Sequence, residues 1–203
     1  MGTLTSALTP TATALIAAIR DAVRPGVPAA EVAPAVAEAL GRFVTMPDLL
    51  TLAQTQSDPH CYKQHILHVE PGGAFSVVAL VWLPGQRTPI HDHICWCVVG
   101  VLQGVEREQR YGLREDADGA RWLTPLEAET LTPGHTCALV PPEENIHQVC
   151  NAGEGVAISI HVYGDDLDIY HSSINQCFDE LPIRADDHSG TPVAWRRTRT
   201  SGS

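Results

Sequence analysis

Between Phe75 and Val162 the chain is cut into short β-branched runs by turn-forming residues, and this texture limits the fold more than any other feature. The runs are Phe75 to Trp82, Cys95 to Leu102, Cys137 to Val140 and Val156 to Val162. Around them stand Pro71-Gly72-Gly73, Pro84-Gly85, Asp118-Gly119, Pro133-Gly134 and Asn151-Ala152-Gly153. Proline presets φ and glycine accepts positive φ, so each cluster is a place where the chain can reverse. Many short strands with frequent turns predict a mainly β fold, a sandwich or a barrel.

The first 55 residues read differently. Thr9 can cap a helix with Pro10 at its first position, and Leu15, Ile16, Ile19 and Val23 then share one face. Pro25-Gly26 stops that helix. A second helix places Val32, Val36, Leu40 and Phe43 together, and Pro34 predicts that its regular part starts near Ala33. No internal repeat is evident. After about residue 184 the chain turns polar. The expected layout is helices over 1–55 packed on a barrel over 56–184, with a flexible tail over 185–203.

A length of 203 residues suits one domain. The net charge of −11, from 13 basic and 24 acidic residues, argues against broad nucleic-acid binding, which needs clustered Lys and Arg. Arg196, Arg197 and Arg199 form the only basic cluster. No apolar run is long enough for a membrane helix, and the N-terminus lacks the pattern of a signal peptide. Six cysteines without a Cys-x-x-Cys pair predict reduced thiols and a cytoplasmic protein. The oligomeric state is left open.

The chemistry centres on Pro89-Ile90-His91-Asp92-His93. On a strand, alternate residues share a face, so His91 and His93 point one way and Asp92 the other. Two imidazoles on one face can chelate one metal ion. His147, in His147-x3-Asn151, is the candidate third ligand. Ser159, His161 and Tyr163 also alternate, so they can form a hydrogen-bonded row ending in a phenol.

These motifs resemble a known family. Gly85-x5-His91-x-His93 with Gly104 is similar to the first cupin motif. Gly134, Pro141-Pro142, His147 and Asn151 resemble a relaxed second one, with Glu144 in place of the usual glycine. Most cupins carry a glutamate ligand after the His-x-His, where this chain has Cys97. Three histidines without that carboxylate resemble the thiol dioxygenases, cysteine dioxygenase and its bacterial relatives. Ser159-His161-Tyr163, Trp82 and Tyr62 fit the same family, over about residues 60 to 180. The resemblance implies a jelly-roll-like cupin barrel, Fe(II) held by His91, His93 and His147, and a catalytic row of Tyr163, His161 and Ser159. It implies a small thiol and O2 as partners and a sulfinate as product. An all-nitrogen ligand set by itself also admits Zn, Ni or Cu.

The resemblance also bears on which thiol is oxidised. The cysteine-selective branch has an Arg two residues after the Tyr of Tyr62, whereas this chain has Gln64, which cannot form a bidentate ionic clasp. Gln64 and Pro84-Gly85-Gln86-Arg87-Thr88-Pro89 resemble the 3-mercaptopropionate dioxygenase branch, as the Tyr163-Gly164 step resembles bacterial relatives. Some of those enzymes carry an Arg after the Tyr. Here the segment Gly164 to Ser172 holds Asp165, Asp166 and Asp168 instead. Lys63 and Arg87 are candidate counter-charges for a substrate acid. Cys97 stands where some cysteine dioxygenases form a Cys-Tyr thioether, which here would join Cys97 to Tyr163. Cysteine as substrate and a non-catalytic metal-binding cupin stay as alternatives. A cupin of the sugar-isomerase or oxalate type is disfavoured by the missing carboxylate ligand.

Overall fold

The computed structural model describes residues 7–142, 145–170, 172–185 and 189–198. Glu144, His171 and Arg199 lie outside the described residues, as does the side chain of Asp168. The chain opens with α1 (Pro10–Ala22) and α2 (Ala29–Gly41), then a 3-10 turn (Leu52–Thr55). Strands β1 (Lys63–Val69), β2 (Ser76–Trp82), β3 (His91–His93), β4 (Cys97–Gln103), β5 (Glu106–Glu115) and β6 (Arg121–Leu131) follow. After them come β7 (Thr136–Leu139), β8 (Ile146–Asn151), β9 (Ala157–Tyr163), α3 (Leu167–Tyr170), β10 (Ile174–Cys177) and β11 (Thr191–Pro192). One sheet runs β1-β2-β9-β4-β7, and the other runs β10-β3-β8-β5-β11 with β6 paired to β5. The mainly β barrel with N-terminal helices expected from the sequence is what forms.

The Thr9 hydroxyl accepts from Ala12 N at 2.9 Å, and Pro10 opens α1 as expected. Helix α2 corrects the sequence reading. It starts at Ala29, a turn before Ala33, with Pro34 inside it. Pro34 is exposed, so water can reach the Ala30 carbonyl that its missing N–H leaves free.

Strands β2 and β9 are buried along their whole length because both faces are covered. On β2, Val77 and Ala79 join the cluster with α1 and α2, while Val78, Leu80 and Trp82 face the barrel interior. On β9, Ile160 and Val162 pack toward Leu15, Ile19, Val36 and Leu40. Each such side chain contributes about 1.5–3 kcal/mol by burial. The intervening residues Ser159, His161 and Tyr163 therefore face inward. A Cβ on Gly100 of β4 would meet Leu40 Cδ2 at 2.7 Å, so glycine there lets α2 seat against the sheet.

The C-terminal segment also departs from expectation over its described part. Thr191–Pro192 pairs with Glu115 and Arg114 of β5, and Val193 N donates to Leu113 O at 3.0 Å. Thr198 N donates to Asn175 Oδ1 at 2.7 Å. These backbone bonds hold a polar segment that offers few apolar contacts. No helix among the described residues is long and apolar enough to cross a membrane.

Candidate active site

Strand β3 presents His91 and His93 on one face, and its antiparallel neighbour β8 brings His147 opposite His91 in register. All three are buried, and one candidate ligand atom from each lies within 4.8 Å of the others. Their second ring nitrogens are engaged elsewhere. His91 Nδ1 meets Pro89 O at 2.9 Å, His93 Nδ1 meets Ser173 Oγ at 3.1 Å, and His147 Nδ1 meets Glu108 Oε1 at 2.7 Å. With each Nδ1 occupied, the Nε2 lone pairs are the ones that converge. Burial pushes the His91 pKa down to about 3 and that of His93 well below its ordinary range, with neighbouring histidines adding to the effect. Both rings are therefore neutral, the form that binds metal.

The donor set fits a metal ion. His93 Nε2 and His147 Nε2 stand 2.9 Å apart. Two ligands about 2.1 Å from one ion at a right angle would be about 3.0 Å apart. Glu108 supplies the nearest fixed anion. Burial raises its pKa, but the hydrogen bond from His147 and the charge of Arg110 outweigh that and lower it overall. Its Oε2 lies 3.6 Å from Arg110 Nη2. Glu108 thus orients His147.

The facing wall is β9. Ser159 Oγ lies 3.0 Å from His161 Nε2, and Tyr163 Oη lies 3.2 Å from His161 Nδ1. Trp82 Nε1 donates to Ser159 Oγ at 3.2 Å. Burial pushes the His161 pKa down to about 3 and that of the Tyr163 phenol well above its ordinary range, so both stay uncharged. The Tyr163 and His93 ring centroids are 5.8 Å apart, which places the end of the row beside the histidines. Cys97 is the register partner of Tyr163 on the neighbouring strand.

A small cavity joins these walls and is also lined by Tyr62, Gln64, Ser172 and Ser173. Tyr62 stacks on Trp82 with centroids 4.5 Å apart, and Gln64 lies beside it at the exposed mouth. Among the described residues, no Lys, Arg, Asp or Glu lines the cavity. Lys63 and Arg87, considered as counter-charges from sequence, are not in its wall. The Asp165 carboxylate instead lies 3.4 Å from Arg197 Nη2, and Asp166 Oδ1 accepts from Ile169 N at 3.3 Å.

Sequence reasoning missed Ser173, Glu106 and Glu108. The signal for the two glutamates was present: Glu106-Arg107-Glu108 alternates behind Gly104 at the start of a strand. The charge density of Glu106 to Glu115 hides the inward face of that strand.

Among solved structures, the chain is similar to a protein with a double-stranded β-helix domain from Klebsiella pneumoniae, at 16% identity over 58% of this chain and 89% of that one, with a TM-score of 0.42. It is similar to a cupin 2 conserved barrel domain protein from Salinispora arenicola at 21% identity, over 57% of this chain and 85% of that one, with a TM-score of 0.39. A cupin superfamily protein from Desulfitobacterium hafniense matches at 14% identity, over 60% of this chain and 94% of that one, with a TM-score of 0.41. A family model for cysteine dioxygenase type I matches residues 3–174. That match takes in the N-terminal helices as well as most of the barrel, and by it the chain belongs to the cysteine dioxygenase type I family and is a thiol dioxygenase.

Proposed function

We propose that the chain is an Fe(II)-dependent dioxygenase of a small thiol acid of the 3-mercaptopropionate type, converting the thiol to a sulfinate with both atoms of O2. His91, His93 and His147 would hold the iron, the metal of this family. When bound, it supplies a cation that favours the substrate thiolate and the redox chemistry that activates O2.

The observation that carries the substrate reading is the cavity wall, which has neither acid nor Lys or Arg among the described residues. Three imidazole ligands bring no charge to a dication, and the Glu108 carboxylate behind His147 is already shared with Arg110. A thiolate and a carboxylate together neutralise the dication. Cysteine would add an ammonium that finds no carboxylate in that wall, and an unpaired buried charge is costly. Gln64 and Tyr62 offer neutral hydrogen bonds to the substrate's polar end. Tyr163 holds a phenol proton beside the reacting sulfur and oxygen. His161 orients Tyr163, and Ser159 orients His161.

The test is O2 uptake by the iron-loaded protein with 3-mercaptopropionate, L-cysteine, cysteamine and mercaptosuccinate, with products identified by mass. The expected result is one O2 per thiol, a sulfinate product, and kcat/KM for 3-mercaptopropionate about tenfold or more above that for cysteine, which is about 1.4 kcal/mol. Equal or better use of cysteine overturns the substrate reading. No uptake with any of the four overturns the reaction.

The same reading includes a thioether between Cys97 and Tyr163. Their register pairing on adjacent strands, with both side chains in the same buried cluster, supports it. Forming the C–S bond removes two hydrogens, which O2 accepts. After repeated turnover the intact mass is expected to be two hydrogens lighter, and Cys97→Ala is expected to show no such loss. An unchanged mass in the wild-type protein removes the idea.

A further inference from the structure

Among the described residues, three acidic side chains are buried: Asp92, Glu106 and Glu108. Asp92 accepts from Asn175 Nδ2 at 3.1 Å and Gln176 N at 2.7 Å, and Glu108 accepts from His147. Glu106 is 0% exposed, and neither of its carboxyl oxygens meets hydrogen-bond geometry. A buried polar group in this condition calls for a reason.

Its neighbours supply one. Strand β5 carries Glu106 on the same inward face as Glu108, and its register partner on β8 is Asn151. The Asn151 amide is committed to the Trp82 and Gly155 carbonyls. On β6 the partner is Leu131, and on β7 the neighbour is the Cys137 thiol, which burial holds protonated. From β9 and β2, Ser159 and Trp82 come near enough to act on the carboxyl, and His161 lies next along the row, held neutral by burial. Burial pushes the Glu106 pKa up to about 7, while Ser159 and Trp82 pull it partly back. Among the described residues, no cation offsets the burial.

The proton count along the row then has two solutions. The Trp82 indole can only donate, so the acceptor near Glu106 is Ser159 Oγ. Once the Glu106 carboxyl, which lies beside Ser159 but outside hydrogen-bond geometry, turns onto it in its protonated form, Ser159 Oγ accepts from both Glu106 and Trp82 and must donate to His161 Nε2. His161 then donates from Nδ1 to Tyr163 Oη, and the phenol O–H is free to point at the substrate. With Glu106 ionised, Ser159 donates to the carboxylate and accepts from His161 Nε2–H. His161 Nδ1 then accepts the phenol proton, which is turned away from the substrate.

We propose that Glu106 is a positioning residue for the thiol dioxygenase reaction: through Ser159 it sets the tautomer of His161 and so the direction in which Tyr163 donates. This inference rests on the proposed reaction for its consequence, but its structural core, the coupling of Glu106 to His161, can be read without turnover.

Two measurements test it. In the full-length protein loaded with diamagnetic Zn(II), 15N NMR of His161 is expected to show Nδ1 protonated below about pH 7 and Nε2 protonated above it. Glu106→Gln is expected to abolish that inversion. A single tautomer across the range in the wild-type protein overturns the proposal, whether or not the variant folds. In the iron-loaded enzyme, kcat at saturating thiol is expected to fall about tenfold or more as pH rises through the same midpoint. Glu106→Gln is expected to remove that fall, and an identical fall in both proteins overturns the proposal. Tautomer inversion in a protein that oxidises no thiol would support the coupling and sink the reaction alone.

Discussion

Replacing His93 by Ala is expected to strip the protein of its metal and of its activity together. His93 reaches both other histidines: its Nε2 lies 2.9 Å from that of His147, and its ring centroid lies 4.8 Å from that of His91. Removing it leaves two imidazoles on separate strands and, among the described residues, no carboxylate in the cavity wall to take the vacant position. Loss of an outer partner of a metal ligand costs about 10–100-fold in affinity or activity, so loss of a ligand costs more. Iron content is expected to fall from near one per chain to below about one-tenth, and kcat about a thousandfold or more. Elemental analysis of the purified variant and O2 uptake measure the two. Full iron occupancy with normal turnover would show that the ligands have been misassigned.

Gly164→Ala is expected to be among the most destabilising single-methyl changes in the chain. A Cβ there would overlap Trp96 Nε1 and Cε2. Those atoms belong to a rigid indole that is 9% exposed, not to the end of a flexible side chain. The Gly164 N–H also donates to Trp96 O at 3.0 Å, so the backbone cannot simply draw back. Overpacking of this kind costs about 3 kcal/mol. Because Tyr163 directly precedes Gly164, the displacement also reaches the phenol. Urea unfolding is the measurement, and a loss below about 1 kcal/mol would contradict the close approach.

What could be read from the sequence follows from burial. Strands β2 and β9 are covered on both faces, so they appear as unbroken apolar runs around a few informative polar residues. His91 and His93 stand out because two imidazoles at alternate positions have one geometric meaning on a strand. Strands β5 and β6 were illegible because their outward faces are charged and their inward face holds Glu106 and Glu108, which chemical type alone places outside. Helix α2 begins a turn before the point its sequence suggests, because a proline's cost depends on whether its face is wet. Ser173 was hidden because its partner, His93, lies 80 positions away. The absence of Lys63 and Arg87 from the cavity wall depends on side-chain direction, which a residue's nearness to a motif does not give.

Strand β9 is a partition one residue thick, with chemistry on one surface and the helices' seating on the other. Ile160 and Val162, which bear on Leu40 and its neighbours, are bonded directly to His161. A shift in how α2 rests on the sheet is therefore a shift in the pitch of the imidazole behind it. Variation in the helices and variation in the hydrogen-bonded row cannot drift independently. The N-terminal section is then less an accessory to the barrel than its outer bearing, and substitutions on its sheet-facing side should surface as changes in turnover before they surface as unfolding.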